Sequence, residues 1–443
     1  MMSPRIHTGN AALSRRELLA GAGLFGVGAV LSGCRGFGGD DAGSSDGVTL
    51  NMAWWGDTRR AASTRATLDV FQQKNPGIKV ATSYQDASPY KDKLATRFAA
   101  GDAPDLMAMR VDALREYADR GSLLELNAHR DVVDISTVDE GVLGLAAVGD
   151  KNYGIASGLN AIGFVVNQTL TDKYKVEIPD GDTWGWEDLA AFAQELTTKS
   201  KKKVFGTYFE GATLANLIVF TRQRGEDFFT EDGKIGLTED TAVAWLEMIE
   251  KMRAQGGYPP TGFIDPLIGS SPDQSYLAKG TVASQVIPTN NLGNYNAAAG
   301  GNLKLLRIPG ETQATRRGQS IDTPMLWSIS QKSKHPTEAL KLLNHLINDV
   351  DGAKAVGTTR GVPVNTEVAA AIKPTLTPDD QVATNYIAGL QKETLPQSYS
   401  YPQGSSTIYA DFLKIATEVE FKRETAAAGG KAFVAAAQKA LVG

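Results

Sequence analysis

Between residues 48 and 121 the chain alternates three times between a short apolar run and an amphipathic segment. "VTLNMAWW" (48–55) reads as a buried strand. Arg60 to Asn75 follows as a helix, with Ala61, Thr64, Leu68 and Phe71 on one face, and Pro76-Gly77 stops it. "IKVATSY" (78–84) alternates like a second strand, and Pro89 to Ala100 is a helix aligning Tyr90, Leu94 and Phe98. "GDAPDLMAM" turns into a third strand, and "VDALREYADRGSLLEL" opens as a helix that ends at Gly121. A β-α-β-α-β-α order makes each strand return through a helix. The fold class is therefore α/β with a mainly parallel sheet.

The same logic carries on downstream. Strands are expected near Tyr153–Ala156, Ile162–Asn167, Val282–Ile287, Leu303–Ile308 and Met325–Ser330. Helices are expected at Glu187–Thr197, Asp240–Ala254, Pro336–Asn348, Ala410–Glu424 and Lys431–Leu441. In the second of these, Ala242, Trp245, Leu246 and Ile249 form the apolar face.

The first 33 residues have a different character. Ser14-Arg15-Arg16 precedes an uncharged stretch from Leu18 to Leu31, shorter than the ~20 residues that span a bilayer. A charged start, a short apolar middle and a small-residue exit describe an export signal (residues 1–33), of twin-arginine type by its Ser-Arg-Arg-x-Leu-Leu pattern. Leu31-Ser32-Gly33-Cys34 looks like a lipobox (31–34) and holds the only cysteine of the chain. A thiol is the side chain best suited to become a lipid thioether, so Cys34 is the expected lipidation site. "DDAGSSDG" then makes residues 34–47 a flexible, lipid-anchored tether.

The 410 residues beyond the signal suffice for two or more domains. The chain carries −5; residues 1–33 hold Arg5, Arg15, Arg16 and Glu17, a net +2, which leaves the remainder at −7. That acidity argues against nucleic acid as a partner. Of the four histidines, His7 lies in the signal, and His129, His335 and His345 lack carboxylates or cysteines at ligand spacing, so neither a metal nor a cofactor is expected. Gly21-x-Gly23-x-x-Gly26 matches a dinucleotide fingerprint and Gly43-x-Ser45-x-Gly47 a hydrolase elbow. Neither follows a strand, and both are rejected.

Further stretches carry a family likeness: "WWGDTRR" after the first strand, "FQQKNPGIKV", "KLATRFAAGDAPDLMAM", "YGIASGLNAIGFVVNQTL", "TWGWEDLAAFAQEL", "PTEALKLLNHLI" and "RGVPVN". In this order they resemble the family-1 extracellular solute-binding proteins, the sugar-binding lipoproteins of ABC importers that include maltose-binding protein. The resemblance implies a two-lobed, periplasmic-binding-protein-like fold with hinge strands crossing between the lobes. It places the N-terminal lobe at 48–157 plus 318–358 and the C-terminal lobe at 162–308 plus 362–443. The crossings fall near Ser157–Asn160, Ile308–Arg317 and Arg360–Pro363. It further implies a monomeric receptor that closes on a carbohydrate and docks on permease transmembrane subunits driven by a cytoplasmic ATPase. The lipid would hold it to the outer face of the bacterial cytoplasmic membrane.

Sugar recognition needs aromatic faces for pyranose C–H groups and charged or amide side chains for hydroxyls. In an α/β fold these belong at the carboxyl ends of strands. Strand alternation sends one of Trp54 and Trp55 inward; Trp54 is read as core, and Trp55 and Asp57 as cleft residues. Arg59 or Arg60, at the following helix start, could reach the ligand. Arg110 and Asp112 follow the third strand, and the resemblance puts an acidic sugar contact at Asp112. The maltose-binding member carries Trp where Met109 stands and Arg where Ala113 stands, which turns this chain away from maltodextrins. Asn160 lies in the first crossing. Tyr208 and Glu210 follow "VFGTYF", Asn290 and Asn291 follow "VASQVIP", Asp322 precedes a strand, and Arg360 lies at the third crossing. Asn290 and Asn291 also fit an Asx turn. Trp327 alternates with Met325 and Ile329 and is read as core. Convergence of Arg60, Arg110 and Arg360 would suit a carboxylated ligand such as a uronide.

Two other readings compete. A polyol, glycerophosphodiester or amine would use the same machinery, whereas iron has only Tyr399 and Tyr401 to offer. A secreted glycoside hydrolase could use Asp57 and Asp112 as its carboxylate pair, but no catalytic signature supports an enzyme.

Overall fold

The computed structural model describes residues 47–209, 214–263, 272–396 and 401–441. Cys34, the signal and the tether therefore lie outside the described residues, as does Glu210. In chain order the first elements are β1 (Val48–Trp55), α1 (Thr58–Lys74), β2 (Ile78–Gln85), α2 (Ala87–Ala100), β3 (Leu106–Met109), α3 (Val111–Asp119), α4 (Glu140–Gly144), a small hairpin of β4 (Ala147–Val148) and β5 (Lys151–Asn152), and β6 (Ile155–Ala156). Next come β7 (Ile162–Asn167), α5 (Gln168–Tyr174), α6 (Trp186–Lys199), α7 (Leu214–Gln223), α8 (Glu239–Ala254), β8 (Ser284–Pro288), α9 (Leu292–Ala298) and β9 (Leu303–Leu306). The chain finishes with β10 (Leu326–Ile329), α10 (Pro336–Asn348), α11 (Val350–Val356), α12 (Thr366–Ile372), α13 (Pro378–Leu390), α14 (Ile408–Glu420) and α15 (Ala426–Leu441).

The first sheet has the order β2-β1-β3-β10-β6. β1 runs parallel to β2 and β3, as the helical returns dictate, whereas β10 is antiparallel to both β3 and β6. The sheet is therefore mixed, because β10 arrives from far along the chain and needs no helical crossover. All four side chains of β3 and of β10 are buried, the signature of strands covered on both faces. Helix α1 lays Ala61, Thr64, Leu68 and Phe71 inward at three-to-four-residue spacing. Asp105 joins neighbouring segments, accepting from Asn51 N at 2.7 Å and from Ser333 Oγ at 2.7 Å.

The second sheet, β8-β7-β9, departs from the parallel expectation: β7 is antiparallel to both neighbours. It has its own core, in which Trp245 stacks on Phe209 (ring centroids 5.6 Å) and meets Trp186 edge-on (5.7 Å). Helices α8 and α15 pack closely because Gly430 lacks a side chain: a Cβ there would stand 2.5 Å from Val243 Cγ2.

Three extended segments run side by side where the two cores meet. Ser157 N bonds Met325 O (2.9 Å), and Asn160 and Asp322 are bridged. On the other side Leu159 and Val362 exchange bonds of 2.6 and 2.8 Å. The partner of the first crossing is thus the stretch around 322–325, downstream of the expected 308–317. Ile308 instead belongs to the second core. The expected 362–443 block also divides: Val362, Val364, Ile387 and Leu390 pack in the first core, and Ile408, Phe412 and Phe433 in the second.

Candidate functional site

A cavity of about 160 Å³ opens beside the paired crossings. Asn160, Ala161 and Ile162 line it from the first crossing, and Ser320 and Asp322 from the second. Helix α7 contributes Ile218, Val219 and Arg222; Phe229, Tyr401 and Leu145 close it. Leu145 belongs to the first core and Phe229 to the second, so the cavity draws on both.

Its polar groups are held by local structure. Asn160 Oδ1 accepts from Thr289 Oγ1 (2.8 Å) and from Asn290 N (3.1 Å), which fixes the amide. Asp322 accepts from Thr323 N at 2.7 Å. Desolvation raises its pKa above the ordinary carboxylate value, with Thr323 N and Arg222 opposing the shift and Asp112 adding to it. Arg222 donates to Ser320 Oγ (2.8 Å) and Gly318 O (3.5 Å) and has no carboxylate within ion-pair distance among the described residues. Burial lowers its pKa, while Tyr401, Asp227 and Asp322 pull the other way. The Tyr401 ring lies 5.2 Å from that of Phe229, and burial raises the pKa of its phenol. Arg110 grips Asp112 with both nitrogens of its fork, Nε at 2.7 Å from Oδ1, and this pair acts electrostatically on Tyr401.

Such an arrangement offers a carboxylate, a guanidinium and an amide beside two aromatic faces. It can hydrogen-bond several hydroxyls of one ligand while packing its apolar faces. Among the described residues there is no cluster of three or more potential metal ligands.

The structure sorts the expected site residues into several places. Asn160 and Asp322 line the main cavity, with Arg110 and Asp112 within electrostatic reach. Asp57, Arg60, Asn290 and Asn291 line a smaller recess with Arg59, Asn294 and Asp380. There Asp57 caps α1, accepting from Arg60 N at 2.7 Å, and Arg59 donates to Asn294 across from α1 to α9. Asn290 Oδ1 is buried and has no donor among the described residues. Asn160 connects the two recesses through its bond to Asn290.

Trp55 is half-buried and lines neither recess; its ring packs on Tyr90 (5.5 Å). Trp54 and Trp327 are core residues. Tyr208 lies in a third, separate cavity with Tyr258 and Phe263. Arg360 is buried between Trp54 and Trp327. The convergence of Arg60, Arg110 and Arg360 does not form: Arg110 is occupied by Asp112, and Arg360 is enclosed in the first core. Asp57 lines the smaller recess, whereas Asp112 is held by Arg110.

Sequence reasoning missed Arg222, Ser320 and Phe229, and weighed Tyr401 only as a phenol for iron. The expectation looked at strand ends, whereas α7 is a helix. Its signal was present: Asn216, Val219, Phe220 and Gln223 recur at helical spacing and are buried.

Comparison with known proteins places this geometry. Residues 66–385 match the family model described as bacterial extracellular solute-binding protein. A family 1 extracellular solute-binding protein from Alicyclobacillus acidocaldarius superposes with a TM-score of 0.70 at 25% identity, over 90% of this chain and 100% of that one. A periplasmic oligogalacturonide-binding protein from Yersinia enterocolitica, solved with saturated digalacturonic acid, superposes with a TM-score of 0.77 at 21% identity, over 89% and 99%. A lipoprotein of Streptomyces antibioticus, encoded in the oleD 5′ region, is 27% identical over 154 residues; the match spans 34% of this chain and about a third (34%) of that relative. With the family model matching residues 66–385 and the fold agreeing over 90% of the chain, the chain belongs to the bacterial extracellular solute-binding proteins.

Proposed function

We propose that the chain captures a carbohydrate, an oligosaccharide with one ring seated in the main cavity, and delivers it to an ABC permease. One observation carries the reading: Asp322, Arg222 and Asn160 meet the Tyr401 and Phe229 rings in a cavity bordered by the crossing segments and drawing on both cores. A ligand held there contacts both halves and favours the closed arrangement, which is the form a permease would select. The sugar ligand of the Yersinia relative fits the same reading. Export through the twin-arginine signal and lipidation at Cys34 would keep the receptor, acting as a monomer, at the outer face of the cytoplasmic membrane. Two lipid chains on one cysteine suffice for a stable anchor.

The test is thermal unfolding of a chain that starts near Asp40 and lacks Cys34, against neutral and acidic saccharides, polyols, phosphodiesters and amines. A ligand at about 100 times its Kd adds about 2.7 kcal/mol. A shift with a saccharide and no cleavage products supports the proposal. A shift only with a polyol, phosphodiester or amine replaces the ligand class, and glycan cleavage makes the chain an enzyme.

A further inference from the structure

Arg360 is 3% exposed, yet no carboxylate among the described residues lies within ion-pair distance of it. Its guanidinium carbon lies 4.7 Å from the Trp327 ring centroid and 5.8 Å from that of Trp54. Its edge makes two bonds, to Thr64 Oγ1 (2.6 Å) and Met325 Sδ (2.8 Å), out of the five N–H groups a guanidinium carries. Arg60 adds a second positive charge nearby. A buried cation with only neutral partners is among the least favourable arrangements in a protein core.

The same guanidinium borders a small cavity of about 30 Å³, enough for a water-sized ion. Thr64, Thr67 and Ser157 also line it. His345 Nε2 lies 2.9 Å from the Thr67 carbonyl and 3.1 Å from the Thr67 hydroxyl, and its Nδ1 faces Asp349; in the tautomer that donates from Nε2 to the carbonyl, the Thr67 hydroxyl proton can turn into the cavity. Ser157 Oγ makes only a long 3.5 Å bond to Arg360 O and is similarly available. The cavity is thus edged by one cation and by the hydroxyls of Thr67 and Ser157.

We infer that this cavity binds one small monovalent anion of the halide class, held by Arg360, Thr67 and Ser157. The ion neutralises Arg360 and joins three parts of the fold: α1 through Thr67, the first crossing through Ser157 and the third through Arg360. It is distinct from the solute site, and its occupancy stiffens the crossing segments rather than carrying cargo.

Bromide, which substitutes for chloride and scatters anomalously, is the probe. Crystals of the chain from Asp40, grown without chloride and soaked in bromide, should show an anomalous peak in this cavity beside the Arg360 fork. In solution, bromide should quench tryptophan emission with a saturable component, because Trp54 and Trp327 are closed to collisional quenching, and chloride should compete it away. Arg360→Met should abolish that component; Ser157→Ala, which leaves the core charge in place, should weaken bromide affinity several-fold if Arg360→Met does not fold. No peak in the cavity, purely linear quenching in the wild-type chain, or a saturable component that survives both substitutions would overturn the inference.

Discussion

Asn160 and Asp322 exchange both of their backbone hydrogen bonds, at 2.8 and 2.7 Å, while their side chains line the same cavity. Two segments 162 residues apart in the chain (322 − 160) are thereby fixed to each other at the place where the ligand is proposed to sit. A movement of one crossing relative to the other would therefore reach the cavity, the coupling between binding and closure on which the proposal rests.

Asp322 gives this site a pH dependence. Its pKa is raised in the folded state, so the folded chain holds the proton more tightly than the unfolded one. Its contribution to stability is therefore greatest at low pH and falls as pH rises from the ordinary carboxylate value through the raised one. Melting temperatures measured from about pH 4 to pH 7 should fall less steeply in Asp322→Asn than in the wild-type chain. Parallel curves would contradict the burial argument.

Arg222 lines the cavity with only neutral hydrogen-bond partners among the described residues. Loss of a charge-assisted hydrogen bond costs about 1.5–3 kcal/mol, so Arg222→Ala should weaken saccharide affinity roughly 10- to 100-fold. Titration calorimetry reads this directly, and unchanged affinity would remove Arg222 from the site.

Asp57 separates two roles. If it acts only as the cap of α1, Asp57→Ala costs about 1 kcal/mol of stability and Asp57→Asn restores it, with ligand affinity unaltered in both. Paired denaturation and binding curves should show this pattern. A drop in affinity in the stable Asp57→Asn variant would move the smaller recess into the ligand site.

Gly158 allows the first and third crossings to touch. A Cβ there would lie 2.4 Å from Arg360 O and 2.9 Å from the Gly361 carbonyl carbon, and both obstacles are backbone. Gly158→Ala should destabilise the chain by about 1–3 kcal/mol in a urea titration, the usual cost of overpacking. A neutral result would show that the crossings can part without penalty.

Trp245 is fully buried among Trp186, Phe209 and Phe220 in the second core. Trp245→Ala should cost about 3–5 kcal/mol, which denaturant unfolding would detect.

Elements with strong periodicity and firm stops were legible in the sequence. Val48–Trp55, Ile162–Asn167 and Pro336–Asn348 occur at the expected boundaries. The direction of β10 was not legible, since pairing between strands more than 200 residues apart leaves no local pattern. The site was legible in part. Asn160 and Asp322 sit on extended segments whose side chains point where the backbone order implies, but Arg222 comes from a helix and Tyr401 from an irregular stretch. Arg360 shows the opposite case: its place in the chain suggested the cleft, and the flanking Trp54 and Trp327 rings enclosed it in the core.

The most direct measurement is calorimetric titration of the best saccharide into the chain from Asp40, beside its Arg222→Ala and Asp322→Asn variants. The account predicts one saturable site in the wild-type chain and a marked loss of affinity in both variants. Absence of heat with every saccharide, or identical binding in all three proteins, would contradict it.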